Sequence, residues 1–405
     1  MKLAFVYDAI YPWVKGGAEK RIFELGRKLI QNGHEVHIFG VKWWDGADVI
    51  IYEGMVLHGV CGKMELYVKG RRSISEAVIF SIKLIPHLMS VKFDLIDVSV
   101  FPYFSCFSVK LVSVLRRTPV IFTWHEVWGD YWYEYMGKPG FFGKLTEIMV
   151  SKMASKSIAV SEMTKNGLGS LGINAKNIRI VPNGIDLKKI NIIPPSDHTC
   201  DIIFVGRLIR EKNADVLIEA MDQVRKVLPE IKCHIIGDGP EKHNLMRLVF
   251  ECGLANNVRF FGFMEYDDVI AHMKSSRALV LPSSREGFGM VVIEAYACGV
   301  PVITVRGLRN AACGFVNEKT GFVVNLDARE LCDTICVLVS DTALHKRMSK
   351  SALDAARDHD WSMISRQLIS VYNELHPELP GIQYRGESKN VFKSGLRSPE
   401  QRRQP

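Results

Sequence analysis

Two glutamates, Glu286 and Glu294, stand eight positions apart in the stretch REGFGMVVIE, around a Gly-Phe-Gly turn. Such a pair admits two chemistries. It can supply a general acid and a general base about a glycosidic bond, or it can grip a ligand. The glycines let backbone approach a ligand closely, and the amides opening a helix near Gly289 form an anion site. An ordinary glycine-rich strand-to-helix turn has the same composition. Upstream, VGRLIREK sets Arg207 and Lys212 five apart, directly after an expected strand. Two cations there match a diphosphate, whose charge must be neutralised where water is partly excluded, while a solvated basic turn is the plainer alternative. His125 follows another expected strand in TWHEVWGDYWYEY, beside five aromatic residues within positions 128–135. A single histidine is commonly a core residue. A strand terminus among aromatics and carboxylates instead suits an open cleft, because aromatic faces match the apolar C–H faces of sugars. Gly16 and Gly17 in KGGAEK lack the full G-x-G-x-x-G spacing and make a weak dinucleotide signature. VPNGID (181–186) reads first as turn chemistry.

These residues need elements to hold them. LAFVYD (3–8), HEVHIFG, FDLIDVSV, PVIFTWHE and KSIAVSE are short apolar runs that predict strands. AEKRIFELGRKLIQNG (18–33) carries Ile22, Leu25, Leu29 and Ile30 at helical spacing and stops at Gly33. NIIPPSDHT (191–199) predicts a linker. The grammar then restarts with DIIFVGR, the helical ADVLIEAMDQVRKVL, KCHIIGDG, NVRFFGF, RALVLPS and VPVITV. Strands alternating with helices predict an α/β protein of two doubly wound, Rossmann-like parallel sheets facing a cleft. The expected domains are 1–190 and 200–360. Residues 361–379 are expected as a helix returning to the first domain, and 380–405 as a disordered basic tail. In doubly wound sheets ligands sit at the carboxyl ends of the strands, where the residues named above fall.

Composition excludes several classes. A chain of 405 residues, 47% hydrophobic and 24% charged, is that of a globular protein of two domains. The apolar run in MKLAFVYDAIYPW is too short for a signal peptide, and no uncharged run reaches about 18 residues, so no membrane span is expected. Nine scattered cysteines without a Cys-x-x-Cys point to reduced thiols in a cytoplasmic protein and to no metal site. Residues 1–197 hold 25 Lys and Arg against 18 Asp and Glu, so this half is expected to face an anionic partner. The basic residues form no run and no nucleic-acid motif, so nucleic acid is not expected.

In chain order, GGAE, a strand-end histidine, VSEMTKN, VPNGID, VGRLIREK, IIGDGP, FFGF and Glu286-x7-Glu294 followed by ACGVPVI resemble glycosyltransferase family 4. That is a retaining, nucleotide-sugar-dependent family with the GT-B fold. The resemblance runs from residue 1 to about 375, and its Arg-Lys and Glu-x7-Glu elements are the most specific. It implies that Arg207 and Lys212 bind the donor diphosphate and that Glu294 holds the ribose hydroxyls. Glu286, with the backbone of Gly287, Phe288, Gly289 and Met290, would hold the transferred sugar. His125 would lie beside that sugar, with Gly16 and Gly17 near the phosphates in the closed cleft. The glutamates then grip one donor instead of forming a hydrolase pair. With Glu294 inside the helix, it lies about 7 Å further along the axis at ~1.5 Å per residue.

The implied activity is transfer of a sugar from a nucleoside diphosphate to a hydroxyl of a glycan or lipid-linked acceptor, with no metal or other cofactor. A nucleotide-sugar epimerase of the same fold and a glycan-binding protein with a decayed donor site are the rivals. Two departures from the family stand out. TVRGLRNAACGF carries Arg306, Arg309 and only Gly307 where the family has a Gly-Gly loop and an acidic residue. Either added charge meets an unusual donor, or the loop is remodelled. Lys212 is followed by Asn213 where Gly is common.

Two basic-flanked segments could also touch an anionic membrane. One is 69–92, with Ile74, Val78, Ile82 and Ile85. The other is 141–156, with Phe141, Leu145, Ile148 and Met149 against Lys144, Lys152 and Lys156. The plainer expectation is that both faces pack on the sheet.

Overall fold

The computed structural model describes residues 1–68 and 71–375. The expected tail, 380–405, and the last residues of the expected returning helix lie outside the described residues.

Two sheets carry the molecule. The first has eight strands, in the order Ile178–Ile180, Lys156–Ala159, Val120–Trp124, Leu95–Ser99, Lys2–Val6, Glu35–Val41, Met55–Cys61 and Val49–Tyr52. The second has six, in the order Val258–Gly262, Cys233–Ile236, Cys200–Val205, Ser276–Leu281, Val302–Val305 and Gly321–Val324, all parallel. The interior strands read as unbroken apolar runs because helices cover both of their faces. Leu3, Ala4, Phe5 and Val6 are all buried. One expectation is corrected: the first sheet is not wholly parallel. Val49–Tyr52 pairs antiparallel with Met55–Cys61 at its edge. Glu53 and Gly54, both at positive φ, make the tight turn that such a hairpin needs.

The first helix, Gly17–Gln31, buries Ile22, Leu25 and Leu29 and ends before Gly33, whose φ of 81° suits a left-handed cap. Its apolar stripe meets the helix Trp361–Asn373 in one core cluster, so the last described helix crosses from the second sheet back to the first. Tyr372 OH donates to Asp97 Oδ2 at 2.6 Å, and Thr123 Oγ1 donates to the other carboxylate oxygen at 2.6 Å. Burial raises the Asp97 pKa.

VPNGID is more than a turn. Ile185 N donates to His359 O at 2.8 Å and Trp361 N donates to Ile185 O at 3.1 Å, so the chain's two crossings between domains lie side by side. A side chain on Gly184 would put its Cβ 2.7 Å from the Trp361 ring. Only glycine allows the crossings to touch there.

The plainer expectation for the two basic-flanked segments holds only in part: Ile85 packs against the core and Val78 and Ile148 are half-buried, but the rest of those faces is not covered. In Ile74–Met89 the residues facing the core are Ala77, Phe80, Leu84 and Leu88, while Ile74 is 56% and Ile82 63% exposed. In Gly140–Ser151, Val150 is buried and Phe141, Leu145 and Met149 are exposed. Ile74–Met89 thus carries two apolar stripes of which the core takes one, and Gly140–Ser151 leaves most of its apolar side chains outside.

Candidate active site

The cleft is assembled from the carboxyl ends of both sheets. On the second domain, Arg207 follows the strand Cys200–Val205 and is exposed, with no ion pair among the described residues. Lys212 sits in a 3₁₀ turn that ends at Asn213 in the left-handed region. Asparagine tolerates that region well, which accounts for its standing where glycine is common. Asn213 also ties this turn to the next strand, its Nδ2 donating to Pro282 O at 2.8 Å.

Lys212 Nζ pairs with Glu286 Oε1, and both side chains are nearly buried, at 16% and 12% exposure. Glu286 lies in a two-residue strand beside Arg309–Asn310. Gly289, at φ +90°, then opens the helix Met290–Ala297 with no side chain capping it. Its first amides therefore face the cleft as partial positive charge. Glu294, one turn further on, pairs instead with Lys20 of the first domain at 3.7 Å. The two glutamates thus have different cationic partners.

The first domain faces this with its own helix start, at Gly16 and Gly17, where the Glu19 carboxylate folds back against Gly16 and accepts from its own amide. A methyl group on Gly17 would meet Met290 Cγ at 4.0 Å, so two helix N-termini approach one another across the cleft. Phe288 is buried in the second domain's core, its ring 4.7 Å from Phe315, which leaves only its backbone for a ligand. His125 is brought beside this segment, because a Cβ on Gly287 would lie 3.2 Å from His125 O. Its Nε2 is 3.3 Å from Ser99 Oγ. Burial, helped by the Arg21 guanidinium, pushes its pKa down to about 3. The imidazole is neutral at pH 7 and offers a hydrogen bond rather than a charge.

Other site residues escaped the sequence reading. Arg285 grips Glu126 through two bonds of 2.7 Å, and Arg309 grips Glu134 through bonds of 2.7 and 2.6 Å. Both pairs join the domains. The Arg285 guanidinium also lies 3.7 Å from the centre of the Tyr131 ring. Lys15 adds an exposed contact to Glu265 at 2.9 Å. The extra arginine after GVPVI thus has a specific use: Arg309 latches onto the first domain, while Arg306 is exposed.

The aromatic stretch after His125 is corrected as well. Trp128, Trp132 and Phe101 pack on one another, with Trp128 4.5 Å from Trp132 and 4.8 Å from Phe101. They form a wall rather than an open platform for sugar. Buried Glu147 holds that wall by accepting from Tyr103 OH at 2.7 Å, Trp128 N at 2.8 Å and Gly129 N at 2.7 Å.

Asp8, Arg72 and Glu76 lie beyond the first strand's end. Arg72 pairs with Asp8 and lies 3.9 Å from Glu76. Among the described residues no backbone or cationic group donates to either carboxylate oxygen of buried Glu76, which lies against the Asp8 carboxyl. Burial first, then the Asp8 charge, raises its pKa from 4.5 to about 8. Between those values the folded chain keeps a proton that the unfolded chain releases, so stability falls as pH rises through that window. Glu76→Gln should therefore gain melting temperature over the parent as pH goes from 5 to 8, in thermal unfolding scans. A constant difference across that range would rule out the protonated carboxyl.

Among the described residues no three His, Cys, Asp or Glu side chains gather so as to hold a metal ion, and all nine cysteines are free. No described helix is long and apolar enough to cross a membrane.

The model for "Glycosyltransferase Family 4" matches residues 15–189, and that for "Glycosyl transferases group 1" matches 188–354. The chain belongs to glycosyltransferase family 4. Glycogen synthase of Mycobacterium tuberculosis is 25% identical over 252 residues, 59% of this chain and 58% of that relative. The chain thus spans less than two thirds of the length of the relatives it matches first. The phosphatidylinositol N-acetylglucosaminyltransferase gpi3 subunit of Schizosaccharomyces pombe is 22% identical over 92% of this chain and 80% of its own. The crystal structure of Anabaena HepE in complex with UDP and glucose superposes with a TM-score of 0.70. It is 21% identical and covers 94% of this chain and all of HepE, a likeness of fold. The chain has the GT-B fold.

Proposed function

We propose that this family 4 transferase moves a sugar from a nucleoside diphosphate sugar to an acceptor hydroxyl with retention of anomeric configuration. The observation that carries the reading is the approach of two helix starts, at Gly17 and Met290, in a cleft that also holds the pairs Lys212–Glu286 and Lys20–Glu294. A diphosphate fits the amides and cations, and the glutamates suit the hydroxyls at its two ends. UDP bound to HepE supports this donor class.

On this reading the bond from the anomeric carbon to the diphosphate breaks, and its electron pair goes to the phosphate oxygen. The acceptor oxygen bonds to the same face of the sugar and passes its proton to the departing diphosphate. No enzymic nucleophile is required. Arg207, Lys212 and the helix amides stabilise the leaving group. Lys212 exchanges Glu286 for phosphate, which frees Glu286 for sugar hydroxyls. The two cations take the part a divalent ion plays elsewhere, so the reaction needs no metal. Neutral His125 orients the sugar by a hydrogen bond. The arginine clasps to Glu126 and Glu134 favour the closed cleft, which limits donor hydrolysis.

The acceptor is a glycan or a lipid-linked glycan met at the basic first domain, and the exposed faces of Ile74–Met89 and Gly140–Ser151 support contact with anionic membrane. Incubation with a panel of nucleotide sugars should give slow hydrolysis of one donor. Interconversion of sugars would favour an epimerase, and no turnover or binding would sink the transferase. Anionic vesicles should sediment the chain at low salt and release it at moderate salt; failure to sediment would leave a soluble acceptor.

A further inference from the structure

An apolar groove of 530 Å³ opens in the first domain between Ile74–Met89 and Gly140–Ser151. Ile74, Ala77, Phe101, Tyr103, Trp132 and Phe142 line it. It is distinct from the donor cleft but continuous with its wall. Phe101, at its inner end, stacks on Trp128, and the Arg285 guanidinium lies 5.0 Å from the Trp128 ring. Phe101 also follows Ser99 by two residues, and Ser99 contacts His125.

Arg71 and Arg72 also line the groove, and of the two only Arg71 brings an unpaired charge to its mouth. Arg72 N donates to Tyr135 OH at 2.9 Å, and its guanidinium reaches Asp8 at the end of the first strand. Arg71 is exposed, 5.8 Å from the Tyr135 ring, and no carboxylate pairs with it among the described residues. The outer rim is apolar and solvent-facing, with Phe142 70% and Ile74 56% exposed. An apolar slot with a free cation at its mouth, beside a transferase cleft, matches an amphiphile: an anionic head followed by a hydrocarbon chain.

We propose that the groove holds the hydrocarbon chain of a lipid-linked acceptor, whose phosphate meets Arg71 at the mouth and whose hydroxyl end enters the cleft. The inference rests on the proposed transferase function and names its acceptor class. The chain leaves the bilayer for the groove, so recognition depends on chain length.

Calorimetric titration of the full chain with n-alkyl phosphates from hexyl to dodecyl, below their aggregation concentrations, tests this. Kd should fall about fourfold per methylene, the equivalent of about 0.8 kcal/mol per buried CH₂, until the groove is full. Thr146→Trp fills the groove from its half-buried rim and should reduce that dependence to below twofold. Should that variant not fold, Phe142→Ser removes an exposed wall and should weaken the longest members most. Arg71→Ala should weaken every member by a similar factor and keep the dependence.

Binding of a nucleoside diphosphate, measured in the same samples, reports the donor site. If a nucleoside diphosphate binds but Kd does not vary with chain length, or Thr146→Trp leaves the dependence intact, the groove inference is overturned and the transferase stands. If no nucleoside diphosphate binds, the transferase reading fails, and with it the acceptor assignment. A dimer in sedimentation equilibrium that excludes the alkyl phosphates would assign the groove to a second copy and overturn the proposal.

Discussion

Lys212→Ala should lower kcat by about 10²- to 10³-fold while KM for the donor rises far less, because the charge it meets grows as the glycosidic bond breaks. Its ammonium is nearly buried beside Glu286, so a small change in phosphate charge is weakly screened there. Arg207→Ala should act in the same direction and by less, since its side chain is exposed and water takes up part of its role. Steady-state kinetics with varied donor read both terms. A variant that raises KM with kcat intact would make Lys212 a ground-state binder. Chelator should leave the parent rate unchanged. Activity lost in chelator and restored by a divalent ion would replace the two cations with a metal.

Glu294→Ala should weaken nucleoside diphosphate and complete donor by a similar factor, equivalent to about 1.5–3 kcal/mol for a hydrogen bond to a charged group. Glu286→Ala should leave nucleoside diphosphate affinity nearly unchanged and reduce turnover of the sugar donor. The structure sharpens the second expectation. Removing Glu286 also frees Lys212 from its ion pair, so nucleoside diphosphate affinity should hold or rise slightly. Titrations of both variants with the diphosphate, set beside donor turnover, separate the roles. Equal loss of diphosphate affinity in the two would end the division of labour. His125→Ala should lower kcat without removing a limb near pH 6.5, since burial keeps that imidazole neutral well below this pH.

Local order along the chain determined much of this protein. Unbroken runs such as LAFV and IIFV predict buried parallel strands, because a strand covered on both faces has no polar side. Helix ends were legible at Gly33 for a similarly local reason. Gly289 and Arg207 fall at strand ends, where doubly wound sheets place ligands, so the candidate donor residues were legible too. Tertiary structure decided what depends on partners far along the chain. Arg285 and Glu126 lie 159 residues apart, and Arg309 and Glu134 lie 175 apart, so no spacing announces either clasp. Lys20 reads as one more helix-surface lysine until the cleft sets it beside Glu294. The helix Ile74–Met89 carries two apolar stripes, and periodicity ranks neither above the other. Only docking on the sheet selects Phe80 and Leu84 to face the core and leaves Ile74 and Ile82 outside. Hydrophobic burial is non-directional, so which stripe is buried follows from the shape of the opposing surface, and that surface exists only once the chain has folded.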